Sequence, residues 1–253
     1  MAMTNEEPDF LYSGILDRRG GSEKLDLSSV AQWTQDQGIL WVHLDVNEDA
    51  SRRWLSEVSG LEPSIVDALL AEETRPRSHA SDDGLLVVLR GVNTNPGGDP
   101  EDMVSIRLWI ERDRIISTRR RRLLSVTDIR DSLELGEGPK TAGGFLAALT
   151  GKLADRIGDF VDSIEGDVGD AEDRIATQDQ TEFRQSIATL RRQIASVRRF
   201  LAPQRDALDR LYRQPGKWLT DSEAQELREE ADRITPYLEE LELARERPRV
   251  LRE

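Results

Sequence analysis

Thr181–Tyr212 reads TEFRQSIATLRRQIASVRRFLAPQRDALDRLY, and this stretch decides how the second half of the chain is built. Phe183, Ile187, Leu190, Ile194, Val197 and Leu201 recur at alternating steps of four and three, which aligns them along one side of a helix as a packing seam. The same helix is basic: it carries Arg184, Arg191, Arg192, Arg198, Arg199, Arg205 and Arg210 against Glu182, Asp206 and Asp209. Pro203 falls inside the period. A proline there removes a backbone donor and crowds the carbonyl four residues earlier, at a cost of roughly 3 kcal/mol in an ordinary helix, so something else must compensate.

Immediately upstream, Phe145, Leu149, Leu153, Ile157, Ile164, Val168, Ala171 and Ile175 mark a second long stripe. Its outer face is acidic, with Asp155, Asp159, Asp162, Glu165, Asp167 and Asp170 among its members. A short polar break at Thr177–Gln180 predicts that the acidic and basic helices fold back as an antiparallel pair, with opposite charge side by side. Asp221–Glu253 predicts a third long helix. Its seam is Leu227, Ala231, Ile234, Leu238 and Leu241; Arg245 falls where the seam should continue, and Pro236 and Pro248 either kink or restart it.

The first part of the chain has a different grammar. Phe10–Leu16 and Leu40–Val46 read as strands, with a Gly20-Gly21 turn and a short polar helix between them. Asn47–Asp49 opens a helix that runs to Val58 and stops at Gly60, and Glu62-Pro63-Ser64 opens another over Ile65–Glu72. LLVVLRGV after Gly84 has the apolar run of a strand buried on both faces; Met103–Ile110 and Arg114–Thr118 form a hairpin about Glu111–Asp113, and a helix covers 123–134. Adjacent hairpins alternate with helix-separated strands, which favours a mixed sheet covered by helices on both faces. Glu137–Gly144, EGPKTAGG, is the clearest linker. The fold class is thus α+β: an N-terminal α/β/α sandwich over 1–135, a helical hairpin over 145–213 and a stalk helix over 219–253.

Composition narrows function. Of 253 residues 33% are charged and 5% aromatic, and the formal net charge is −14, which argues against nucleic acid as a partner and suits a surface that attracts cations. With no cysteine, disulfides and thiolate metal sites are excluded. No stretch approaches the roughly 20 apolar residues of a membrane span, and MAMTNEEPDF has no leader-like pattern. The last helix ends in RERPRVLRE with neither cap nor stop signal, so the natural polypeptide is expected to continue.

No residue pattern points to catalysis. His43 and His79 lie 36 positions apart without a helical HExxH, so no zinc enzyme is visible. His79 with Asp82 and Asp83 is a weak candidate site for a divalent ion, weighed against a solvated loop. Arg119–Arg122 has no aromatic platform for nucleic acid and is expected to contact the acidic helix within or between subunits. NTNPGGD at 93–99 lacks the lysine of a phosphate loop and reads as a hairpin loop. On the acidic face, Asp159 and Asp162 are candidate oxygen ligands of the kind that suit hydrated Mg2+ or Ca2+, weighed against a solvated face paired with arginines.

Arg199-Phe200-Leu201-Ala202-Pro203-Gln204-Arg205-Asp206 resembles the Arg-x-Leu-x-Pro-x-Arg-Asp/Glu signature of the CorA superfamily of divalent-cation transporters. LWVHLD, LLAEETRPR, LVVLRGVN, IISTRRRRLL and GEGPKTAGGFL stand in the order seen in its zinc-transporting ZntB branch, so the resemblance spans nearly all of residues 10–253. It implies the cytoplasmic domain of an inner-membrane transporter: a homopentamer whose stalk helices line an electronegative funnel below the pore and lead to C-terminal membrane helices. The implied cargo is Zn2+, with Mg2+ or Co2+ as alternatives, and no catalytic cofactor. In the CorA branch a regulatory cation site pairs an aspartate before the Arg-Pro-Arg/Lys segment with a stalk carboxylate of the neighbouring subunit. Asp67 matches the aspartate by position, whereas RERPRVLRE carries arginines where the stalk acid is expected. A free-standing helical scaffold is the reading from a different class.

Overall fold

Every other side chain of β3 (Ile39–Asp45) enters a different core: Ile39 and Trp41 join one, Leu40, Val42 and Leu44 the other. That two-sided burial makes β3 an inner strand. It pairs antiparallel with β1 (Tyr12–Leu16), which also carries the short β2 (Ser22–Lys24), and parallel with β7 (Arg114–Arg119). Beyond β7 come β6 (Val104–Ile110), β5 (Leu85–Gly91) and β4 (Arg77–Ala80), all antiparallel. The seven strands run β2-β1-β3-β7-β6-β5-β4, the mixed sheet expected from the alternation of hairpins and helices. This computed structural model describes residues 11–72, 74–173 and 180–250. The polar break at Thr177–Gln180 (as far as residue 179), Ile175, and the chain's first ten and last three residues lie outside the described residues.

One sheet face is covered by α1 (Leu27–Gln32), α2 (Asp49–Arg53), a π-helical turn at Trp54–Val58 and α3 (Pro63–Leu70); they supply Val30, Trp54, Leu55, Val66 and Leu69. The other is covered by α4 (Leu124–Glu134) and α5 (Ala142–Asp173). Trp41 ties sheet to helices there, its ring centroid 4.5 Å from Tyr12 and 4.7 Å from Phe145. At the β6–β7 turn Glu111 accepts Arg114 Nε at 3.0 Å and Nη2 at 2.6 Å, and Trp109 Nε1 at 2.8 Å, which holds the hairpin closed.

Two strands were not expected. RSHA at 77–80 has no apolar alternation and reads as a loop, yet it is the edge strand β4, held by four residue pairs to β5. β2 is likewise polar, and Tyr12 donates from its hydroxyl to Ser22 Oγ at 2.7 Å. The EGPKTAGG linker ends three residues early, because Gly143 and Gly144 lie inside α5. A Cβ at Gly143 would strike the carboxylate of Glu223, whose own role is to cap the last helix, Asp221–Val250.

α6 (Gln180–Arg213) and α7 (Asp221–Val250) complete the molecule. The seams buried as expected, with Ile194, Val197, Leu201, Leu227 and Ile234 at most 1% exposed, but the pairing differs from the two-helix hairpin. Among the described residues α7 packs along both α5 and α6, which touch each other far less. Two helices cannot close a broad apolar stripe by themselves; the third fills the groove between them. Charge follows that arrangement. Arg233 donates to Asp155 of α5 at 2.7 Å, Arg247 pairs with Glu172 of α5 at 2.5 Å, and Arg198 of α6 pairs with Glu242 of α7.

Pro203 and Pro236 both sit within continuous helices. For Pro203 the compensation is tertiary: Gln204, 1% exposed, accepts the Arg90 backbone N–H of β5 at 2.7 Å, and Ser78 of β4 donates to the Ala207 carbonyl at 2.8 Å. α7 opens on a capping box. Thr220 N donates to Glu223 Oε2 at 2.7 Å, Glu223 N donates to Thr220 Oγ1 at 3.2 Å, and Thr141 Oγ1 donates to the same carboxylate. At its far end the seam continues through Ala244, 2% exposed, while Arg245 turns aside to Glu242.

Candidate functional site

The sequence-derived cation ligands occupy three separate places. Asp67 is exposed on α3. His79 projects from the edge strand β4, and Asp82 and Asp83 sit in the following turn, all three exposed. Asp159 and Asp162 are exposed on the outer face of α5. Among the described residues no three His, Cys, Asp or Glu side chains converge closely enough to hold a metal ion.

What the fold does assemble is an acidic field along α5 and α7. Glu240 of α7 has its carboxyl pushed above the usual range, first by burial and then by the charges of Glu165 and Asp162 across the helix pair. Glu230 is raised in the same way, by burial opposed by Arg233. Like charges held at this spacing have no gain unless a cation shares the space. The arrangement can therefore concentrate cations without chelating them. Sequence periodicity identified Asp162 and Glu165 but not Glu240, because which stripe of α7 meets α5 is a tertiary fact.

The arginine run behaves differently from its expected pairing with the acidic helix. Arg121 pairs with Asp102 in the β5–β6 loop at 2.5 Å, which holds the Asp102 carboxyl below the usual range. Arg120 Nη2 donates to the Leu70 carbonyl at 3.0 Å and lies 3.6 Å from Glu72. The strand geometry explains this: β7 ends beside the C-terminus of α3, so its arginines meet that helix's last carbonyls before they can reach α5.

His43 is structural. Its Nδ1 lies 2.8 Å from Ser117 Oγ, which also accepts Trp41 Nε1 at 2.9 Å, and its Nε2 has no partner among the described residues. Burial, then the charge of Arg119, lowers its pKa to about 3, so the ring stays neutral. On the opposite face of the sheet Arg107 is fully buried, donating to the carbonyls of Ala71 and Glu72. Burial, then Arg120 and Arg90, lowers its pKa to about 10.

Among the described residues no helix is long and apolar enough to cross a membrane. Comparison with known proteins places this architecture. A family model described as CorA-like Mg2+ transporter protein matches residues 36–253. The divalent cation transporter CmaX of Pseudomonas aeruginosa is 38% identical over 259 aligned positions, covering 99% of this chain and 76% of the relative. The structure of full-length CmaX superposes with a TM-score of 0.90 at 38% identity, over 98% of this chain and 77% of that one. The ZntB cytoplasmic domain from Vibrio parahaemolyticus follows with a TM-score of 0.79 at 26% identity, over 93% and 92%. The CorA magnesium transporter of Methanocaldococcus jannaschii shares the fold, with a TM-score of 0.79 at 15% identity over 93% of this chain and 74% of that one. The mixed seven-stranded sheet, the long helices behind it and these matches together place this chain in the CorA-like Mg2+ transporter family.

Proposed function

We propose that this chain is the cytoplasmic part of an inner-membrane divalent-cation transporter, with Zn2+ as its first cargo and Mg2+ or Co2+ as alternatives. The observation that carries the reading is the 38% identity to a divalent cation transporter over 99% of the chain. In this reading the protein is a homopentamer, α7 runs toward the membrane, and the chain has no catalytic step. The acids gathered on α5 and α7 supply an electronegative approach that raises the local concentration of cations before they reach the pore. Asp159 and Asp162, beside Glu165 and Glu240, are the residues proposed to contribute most to that field, as weak, water-mediated contacts and not as a chelate. Asp67, and His79 with Asp82 and Asp83, are proposed as secondary surface contacts, since neither place holds a converged ligand set.

The test is transport by the full-length gene product in proteoliposomes, with Zn2+, Mg2+ and Co2+ supplied separately and followed by a metal-sensitive dye inside. Uptake of Zn2+ above empty liposomes is expected. Uptake of Mg2+ or Co2+ alone would correct the cargo, and no uptake of any of the three would overturn the reading. Sedimentation of the same protein in detergent should give the mass of five chains.

A further inference from the structure

The molecule is strongly acidic, yet one cleft is lined by a surplus of arginine. It lies where the α3–β4 segment, the end of β5, the β5–β6 loop and the middle of α6 meet. Its volume is about 500 Å³, and it is lined by Arg75, Arg90, Arg121 and Arg199 with Glu72, Asp102, Thr74 and Phe200. Both acids are already engaged, Asp102 by Arg121 and Glu72 by Arg120. Among the described residues neither Arg75 nor Arg199 has a carboxylate partner, so the cleft holds two guanidiniums that no described carboxylate neutralises.

The cleft is organised. Arg90 donates from Nε (3.1 Å) and Nη2 (2.7 Å) to the Thr74 carbonyl and from Nη1 to the Met103 carbonyl at 2.6 Å, so its position is fixed. Its guanidinium carbon lies 3.9 Å from the centroid of the Phe200 ring, and that of Arg199 lies 4.6 Å from the same centroid.

We propose that this cleft binds a small, multiply charged oxyanion of the phosphate type. Forked guanidinium donors match the oxygens of a phosphate two at a time. The one aromatic ring present is covered by guanidiniums, which leaves no apolar platform for a nucleobase or a peptide side chain. The bound anion joins Arg75, Arg90 and Arg121 of the sheet unit to Arg199 of α6, and so clamps α6 to the sheet next to the Pro203 turn. This inference is independent of the cargo and of transport itself.

The test is calorimetric titration of the chain with inorganic phosphate and with pyrophosphate at matched ionic strength, potassium chloride being the reference. Saturable binding is expected, with pyrophosphate tighter than phosphate. Arg75→Gln and Arg199→Gln should each weaken it about tenfold or more, as loss of one charged hydrogen bond predicts. Arg213→Gln, at the exposed end of α6, should bind as the wild type does. Heats indistinguishable from chloride would overturn the site, as would undiminished binding by both arginine variants. The same holds for a cleft closed to phosphate because a second copy's acidic side chain fills it.

Discussion

Within the sheet, His43, Arg107, Ser117 and Thr118 are all at most 2% exposed and each meets a named partner: Ser117, the Ala71 carbonyl, Trp41 and the Leu69 carbonyl. Along α5, α6 and α7, among the described residues, Glu223 is the one fully buried charged side chain, and the rest of the charge is half-buried or exposed. The first region is specified by buried polar contacts that work in one register only. The second is specified by a repeated apolar seam, in which any single contact resembles its neighbours. The first should therefore break sharply at single residues, and the second should soften by increments.

The largest effect is expected where the two regions meet. Trp41→Ala removes a fully buried indole that packs at a tilt against Tyr12 and edge-on against Phe145 and donates to Ser117, and should cost about 3–5 kcal/mol in urea denaturation. Ile234→Ala, equally buried but in the α7 seam, should cost about 2–4 kcal/mol. If the α7 substitution proved the more damaging, the contrast between the regions would be reversed.

Acid should then find the sheet first. His43 is neutral in the fold down to about pH 3, whereas an unfolded histidine takes a proton near its ordinary value of 6.5. Below that value the unfolded chain binds a proton that the fold refuses, so stability falls as pH drops from 6.5 toward 3, by up to about 1.4 kcal/mol per pH unit. His43→Gln should flatten that slope while lowering stability at pH 7. Equal slopes for both proteins between pH 7 and 5 would remove His43 from the account.

A smaller loss tests the joint that starts the third helix. Glu223→Ala strips the cap from α7 and frees Thr141, and should cost about 1–2 kcal/mol, read as a lowered melting temperature. Glu223→Gln should recover most of it, because an amide oxygen still accepts from Thr220.

These contrasts also mark what could be seen before folding. The seams of α5, α6 and α7 were legible because 3.6-residue periodicity is local. So were β3, β5 and the β6–β7 hairpin, whose apolar runs are long. β4 was not, since RSHA owes its strand to pairing with β5 and to Ser78 docking on α6. The pairing order of the three helices was not legible either, because a stripe announces that it will be buried without naming its partner. For the same reason the acids of α5 stood out while Glu240 opposite them did not. The arginine cleft draws on residues 75, 90, 121 and 199, which the sequence showed in four separate segments without any sign that they meet.

The smallest expected change in stability belongs to the residues with the largest proposed role. Asp159→Asn with Asp162→Asn alters exposed side chains, and should shift stability by no more than about 0.5 kcal/mol. Removing the Asp162 charge should also let the Glu240 carboxyl fall back toward its ordinary range, since that charge is among the causes of its rise. If α5 is merely a solvated face, nothing else follows. If it draws cations toward a pore, cation uptake by the full-length protein at low ionic strength should fall severalfold in the double variant. That difference should shrink as salt rises, because a field spread over exposed carboxylates is screened within about 10 Å at 0.1 M salt. A loss of uptake that persists unchanged in high salt would mean that these aspartates contact the ion directly, and the open acidic face would have to be redrawn as a site.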